Sequence, residues 1–177
     1  MLGRVYFLTS GSKKLRMIEL ALGNILNIEA DVAVLSAHPT LIAGSGLSGL
    51  FHKAAGKELE LAAEPLGPIE PGMSTVTQAF HLPFEYIVHA VAPGYLRDLD
   101  DPEQTLKKTY LSIFDHKELC NCKSIVVPAI GIGIYRWPIE LAAEIALSAL
   151  EQSPFEKSVI CLYEQATFDI YSSLIDR

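Results

Sequence analysis

The feature that most constrains this chain is a set of short apolar runs that fail to alternate. Val32-Ala-Val-Leu35, Ile87-Val-His-Ala-Val-Ala92, Ile125-Val-Val-Pro-Ala-Ile130 and Val159-Ile-Cys-Leu162 are near-continuous. A strand with one wet face alternates apolar and polar residues, whereas a strand covered on both faces does not. Such runs therefore belong to a largely parallel sheet lying between layers of helices. Strands are expected at Val5–Leu8, Met17–Leu22, Val32–Ala37, Ser74–Phe80, Tyr86–Ala92, Ser124–Ile130 and Val159–Tyr163. Helical patterns fall at Leu47–Ala55, Lys57–Glu64, Pro102–Leu119, Pro138–Gln152 and Thr167–Ile175. This alternation predicts an α/β chain, a three-layer α/β/α sandwich around a mixed, mostly parallel sheet of six or seven strands.

Local chemistry agrees. Two of the helices open at a proline, whose missing N–H would have no intrahelical partner there. Helix Pro138–Gln152 is apolar nearly all round, which calls for burial between the sheet and its neighbours. Pro65, Pro68, Pro71 and Gly72 mark a turn-rich surface loop. At 177 residues and 50% apolar content the chain can build a core, and one domain spanning 1–177 is expected.

Charge narrows the function classes. With 14 basic and 21 acidic residues the net charge is −7, the wrong sign for a broad nucleic-acid footprint. Anionic small molecules stay open if backbone groups do the binding. No apolar run reaches the roughly 20 residues that cross a bilayer, and the first residues lack a signal peptide's apolar core. Cys120, Cys122 and Cys161 are an odd count without zinc-knuckle spacing, and read as free thiols in a reducing cytoplasm. The five histidines show no ligand spacing, so neither a metal nor a cofactor is expected. A monomer is the working expectation.

Two glycine-rich loops carry the chemistry. Ala43-Gly-Ser-Gly-Leu-Ser-Gly49 follows strand Val32–Ala37 and precedes a helix. It contains a formal GxGxxG, but in a dinucleotide fold the first glycine follows the strand directly, and the acid about twenty residues on falls at Glu70 in a proline-glycine turn. That reading is rejected. The physics survives it: successive glycines free backbone N–H groups, and the following helix N-terminus adds positive potential, which together cradle a phosphate without basic side chains. Tight packing alone can also make such a loop. The second loop, Ala129-Ile-Gly-Ile-Gly-Ile-Tyr135, repeats the arrangement of strand, glycines and helix. If the two strands are neighbours, both loops sit on one rim and suit a diphosphate.

From about Met17 onward the sequence resembles the macrodomain family, leaving residues 1–16 as an added strand and turn. Gly23-Asn24-Ile25-Leu26 is similar to the family's G-D-I-T, and Asp31-Val-Ala-Val-Leu-Ser-Ala-His38 to D-x-I-V-N-A-A-N. Ala43 to Gly49 resembles G-G-G-G-V-D-G, and Leu50-Phe-His-Lys-Ala-Ala-Gly56 its x-I-H-x-A-A-G continuation. Pro71 to Thr77 is similar to G-x-A-x-x-T, Tyr86 to Pro93 to Y-V-I-H-x-V-G-P, and Pro128 to Pro138 to P-A-I-S-T-G-I-Y-G-Y-P.

That resemblance implies binding of ADP-ribose or a derivative: mono-ADP-ribose, O-acetyl-ADP-ribose or an ADP-ribosylated protein. It implies that Asn24, with Ile25, meets the adenine amino group, without the charge of the family's aspartate. Ala43, Gly44, Ser45, Gly46, Leu47 and Ser48 would hold one phosphate and the distal ribose. Ala129, Gly131, Ile132, Gly133, Ile134 and Tyr135 would hold the other phosphate, with Tyr135 beside that ribose. Tyr163 matches the aromatic residue that stacks on adenine, while His52 and His89 match positions that look structural.

The match breaks at two places. Hydrolytic members use the last asparagine of N-A-A-N and an aspartate ten residues later, and this chain has His38 and Ser48 there. A binder without the usual hydrolase is the expectation. The alternative is a hydrolase of ADP-ribosyl esters or O-acyl-ADP-ribose, with His38 as general base and Ser48 oriented or activated by it. A further alternative is an interaction module that has lost ADP-ribose.

Overall fold

A computed structural model describes residues 3–8, 16–96, 100–116 and 121–176. The turn expected before Met17, the last residues of the helix expected to reach Leu119, and Cys120 lie outside them. Seven strands are described: β1 (Gly3–Leu8), β2 (Arg16–Leu22), β3 (Val32–Ser36), β4 (Ser74–Gln78), β5 (Tyr86–Ala90), β6 (Ser124–Pro128) and β7 (Lys157–Leu162). The helices are α1 (Gly46–Ala55), α2 (Lys57–Ala63), α3 (Pro102–Phe114), α4 (Ile139–Leu150) and α5 (Gln165–Ile175).

The strands form one sheet in the order β1-β2-β7-β6-β3-β5-β4. Its five central strands run parallel, and β1 and β4 close the edges antiparallel to β2 and β5. The unbroken apolar runs are explained by two cores. Val32 and Val34 of β3 face a cluster with Leu106, Tyr110 and Ile113 of α3 and the alanines of α4. Ala33 and Leu35 face the other way, against Phe51 and Ala55 of α1 and Leu59 of α2. Helix α4 packs between α3 and α5 and buries its alanines, but it is not enclosed on all sides as expected: Glu140, Glu144 and Ser148, four residues apart, form an exposed polar stripe.

Among the strand ends that differ from expectation, one does so for a local reason and another for a long-range one. Phe80 has φ 54°, a left-handed conformation that cannot continue the β4 ladder, so β4 stops at Gln78. Strand β7 begins earlier, at Lys157, because that polar residue pairs with Met17 on one side and Ser124 on the other. Asp31 sets β3 beside β6. Its Oδ2 accepts from the N–H groups of Lys123 and Ser124 at 2.7 and 2.9 Å, and its own N–H donates to Ser124 Oγ at 2.9 Å. With that clamp, Val32 and Ala33 fall opposite Ile125 and Val126. The carboxyl ends of the two strands that lead into the glycine loops are thereby adjacent.

Candidate functional site

The two loops face each other across a cleft with two lobes at the carboxyl ends of the parallel strands. The smaller lobe, about 420 Å³, lies between them and holds His38, Ala43, Gly44, Ser45, Ser48, Gly131, Ile134 and Tyr135 on its wall. The larger, about 870 Å³, extends over the ends of β2 and β7 and is walled by Asn24, Ile25, Ile132 and Tyr163. Gly46, Leu47, Ala129 and Gly133 border both lobes. Every residue singled out from the sequence for the site thus lines one continuous cleft. Among the lining residues that sequence reasoning missed are Ser36, Ala37 and Ile42 in the smaller lobe, Leu50, Glu164 and Thr167 in the larger, and Pro128, which borders both. Pro128 ends β6, three residues before Gly131, and its place at the strand end was the signal for it.

The glycines divide by what surrounds them. At Gly46 and Gly133 an added Cβ would meet nothing within 4 Å, so both leave their backbone bare at the boundary between the lobes. Gly46 also adopts a left-handed φ of 60°, and Gly49 and Gly131 serve the fold by their packing. A Cβ on Gly49 would come within 2.6 Å of the Gly44 carbonyl oxygen, and one on Gly131 within 2.7 Å of Trp137 Cδ1. Gly131 also needs its φ of 96°.

Helix α1 begins within the first loop at Gly46. Ser45 precedes it without a side-chain capping bond, and no acidic residue occupies its first turn. Its N-terminal amides and their positive potential therefore face the cleft unneutralised by side chains. The second loop is held from behind by Trp137, whose Nε1–H donates to the Pro93 carbonyl at 2.8 Å and whose ring packs 5.0 Å from that of Tyr95. The Trp137 N–H also closes the loop onto the Gly131 carbonyl at 3.2 Å. Beneath it, the buried Tyr110 hydroxyl accepts from Ile130 N–H at 3.3 Å, and burial pushes that phenol up from its ordinary value. None of these supports was assigned a role from sequence.

Side-chain polarity in the cleft is set locally. Asn24 Oδ1 accepts from Leu26 N–H at 3.0 Å, capping the short turn Ile25–Asn27. Ser48 Oγ, largely buried, accepts from Gly44 N–H at 3.2 Å. His38 Nδ1 accepts from Thr40 N–H at 3.2 Å and lies 2.8 Å from Thr40 Oγ1. The pairing of His38 with Ser48 expected for a nucleophile and its base is thus not formed, because each side chain is engaged by its own loop. Tyr163, following β7, is 85% exposed, so its ring is open to a ligand.

Of the other residues noted in the sequence, His52, His89 and Cys122 stand away from the cleft, whereas Cys161 borders its larger lobe. His89 is fully buried on β5, its Nε2 2.9 Å from Thr77 Oγ1, and burial lowers its pKa to about 4. His52 is also buried on α1, with its pKa lowered by desolvation. Burial pushes the free thiols of Cys122 and Cys161 up to about 11, so neither is a thiolate at neutral pH. Among the described residues no cluster of three His, Cys, Asp or Glu side chains could hold a metal ion, and no helix is long and apolar enough to cross a membrane.

Comparison with known proteins matches this arrangement. The family model "Macro domain" fits residues 34–146. A "Macro domain-containing protein" of Mesorhizobium japonicum is 30% identical over 165 residues, covering 90% of this chain and 94% of its own. An "O-acetyl-ADP-ribose deacetylase" of Klebsiella pneumoniae is 33% identical over 166 residues, 89% of this chain and 95% of its own. The Oceanobacillus iheyensis macrodomain solved with ADP superposes with a TM-score of 0.89 at 25% identity, covering 99% of this chain and 97% of that one. The chain belongs to the macro domain family.

Proposed function

We propose that the cleft binds ADP-ribose or a derivative of it: free mono-ADP-ribose, O-acetyl-ADP-ribose, or ADP-ribose attached to a protein. The observation that carries this reading is the pair of bare glycines, Gly46 and Gly133, bordering both lobes. A diphosphate lies across that boundary, met by main-chain N–H groups and by the start of α1. The larger lobe, with apolar walls and the exposed ring of Tyr163, takes the purine beside Asn24 and Ile25. The smaller lobe takes the distal ribose against Ala43 to Ser48 and Tyr135. The relatives support the ligand class, since the Oceanobacillus iheyensis protein is solved with ADP and related enterobacterial chains are named as deacetylases of O-acetyl-ADP-ribose.

Binding rather than hydrolysis is the favoured activity. Ser48 replaces the family's aspartate, and its hydroxyl is committed to Gly44 rather than to His38. The chain acts as one macro domain, without metal or cofactor, and free thiols at Cys122 and Cys161 suit the cytoplasm. Calorimetric titration tests the reading: ADP-ribose binds at one site and AMP alone binds far more weakly. Absence of heat with any adenine nucleotide refutes it. Incubation with O-acetyl-ADP-ribose and product analysis then separates binder from hydrolase.

A further inference from the structure

The smaller lobe contains no Asp, Glu, Lys or Arg on its wall, so its side-chain polarity comes from serine hydroxyls, Tyr135 and His38. His38 has its hydrogen position dictated by its surroundings. Pro39 follows it, and a turn returns the chain, with Leu41 N–H donating to the His38 carbonyl at 2.9 Å. That turn brings Thr40 back onto the imidazole, where its N–H lies 3.2 Å from Nδ1. A main-chain N–H can only donate, so Nδ1 must carry the lone pair. Thr40 Oγ1, 2.8 Å from the same nitrogen, is a second donor to it. A neutral imidazole has one N–H, and here that proton is placed on Nε2.

From this geometry we infer that His38 is a fixed hydrogen-bond donor to an oxygen of the group seated in the smaller lobe, and not a general base. A base at Nε2 needs a lone pair there, and the Thr40 turn assigns that lone pair to Nδ1 instead. The inference rests on the ADP-ribose reading and gives His38 a specificity role: it favours a ligand that extends past the diphosphate with an oxygen acceptor over one that ends at the phosphates. The replacement of the family's asparagine by histidine then keeps a side-chain donor at that place, presented by a ring instead of an amide.

Two measurements test it. Long-range proton–nitrogen NMR on the ligand-free chain should find the His38 proton on Nε2, and a proton on Nδ1 overturns the inference. Titration of the wild type, His38→Phe and His38→Gln should be carried out with both ADP-ribose and ADP, which lacks the distal ribose. Loss of one neutral hydrogen bond weakens ADP-ribose roughly 2- to 10-fold in His38→Phe. ADP is held as before, and His38→Gln, which keeps an N–H donor, recovers most of the loss. Equal weakening of ADP and ADP-ribose marks a structural role and overturns the inference, as does a His38→Phe chain that binds ADP-ribose like the wild type. A wild-type chain that binds neither ligand refutes the binding reading itself, and the donor role with it.

Discussion

Gly133→Val isolates the diphosphate contact from the fold. Position 133 has open space where the Cβ would stand and no left-handed backbone requirement, so a side chain there starts without a clash. The expected change in folding stability is within about 1 kcal/mol, since lost chain freedom in the unfolded state offsets small losses in the loop. The same side chain fills the boundary that both lobes share. At a ligand concentration a hundredfold above Kd the wild type gains about 2.7 kcal/mol. At roughly 2–4 °C per kcal/mol for a chain of this size, that is a rise in Tm of about 5–11 °C. A hundredfold loss of affinity leaves about 0.4 kcal/mol at the same concentration, or about 1 °C. Differential scanning fluorimetry with and without ADP-ribose reads both quantities at once. Gly49→Val is the contrasting control. Its Cβ would sit 2.6 Å from the Gly44 carbonyl oxygen, so it should lower Tm before any ligand is added. A Gly133→Val chain with unchanged Tm that still gains the full ligand shift would refute the placement of the diphosphate.

Other outcomes follow from the same geometry. His89 titrates near 4 in the folded chain against 6.5 when exposed, so the unfolded state binds the proton first as pH falls. Its contribution is intact above pH 6.5 and is lost progressively toward pH 4, approaching about 3 kcal/mol. Urea unfolding across that range should show the slope, and His89→Gln should flatten it. Because no basic side chain lines either lobe, and Glu164 in the larger is the one charged residue there, ADP-ribose affinity should change less than about threefold between 50 and 500 mM NaCl, a range over which charge-paired sites weaken steeply. Titrations at the two salt concentrations decide it. Asn24→Asp should tighten ADP-ribose several-fold, since a carboxylate can keep the bond to Leu26 N–H and accept a purine amino group with its other oxygen. Asn24→Ala should weaken it moderately and cost about 1 kcal/mol of stability through the lost cap.

The layered fold was legible because burial on both faces leaves a one-dimensional mark. Val32 to Leu35 are apolar in succession because both of their faces are covered, whereas α4 keeps an exposed stripe of Glu140, Glu144 and Ser148 that its high apolar content obscured. Strand ends carried no such mark: β7 is extended at Lys157 by neighbours more than 30 positions away in sequence on one side and over 130 on the other. The candidate loops were visible through their glycines, but glycine content alone does not tell a bare ledge at 133 from a packing site at 131. That distinction depends on Trp137, whose indole is held by the distant Pro93 carbonyl. The hydrogen bonds of His38 and Ser48 escaped for the opposite reason. They are local, yet they depend on how each loop turns, and a spacing of ten residues invited a pairing that both turns prevent.

A cleft lined by main-chain amides places its specification in the path of the chain. Every residue except proline offers the same N–H, so replacing Ala43, Ser45 or Leu47 leaves the donors where they were. Replacing Gly49 or Gly131, which have no room for a side chain, moves the path and all its donors together. Tolerance to mutation is therefore inverted relative to a side-chain site: the wall residues drift freely, and the glycines packed behind them do not. A scaffold of this kind is compatible with the close fold of the Oceanobacillus iheyensis macrodomain at 25% identity.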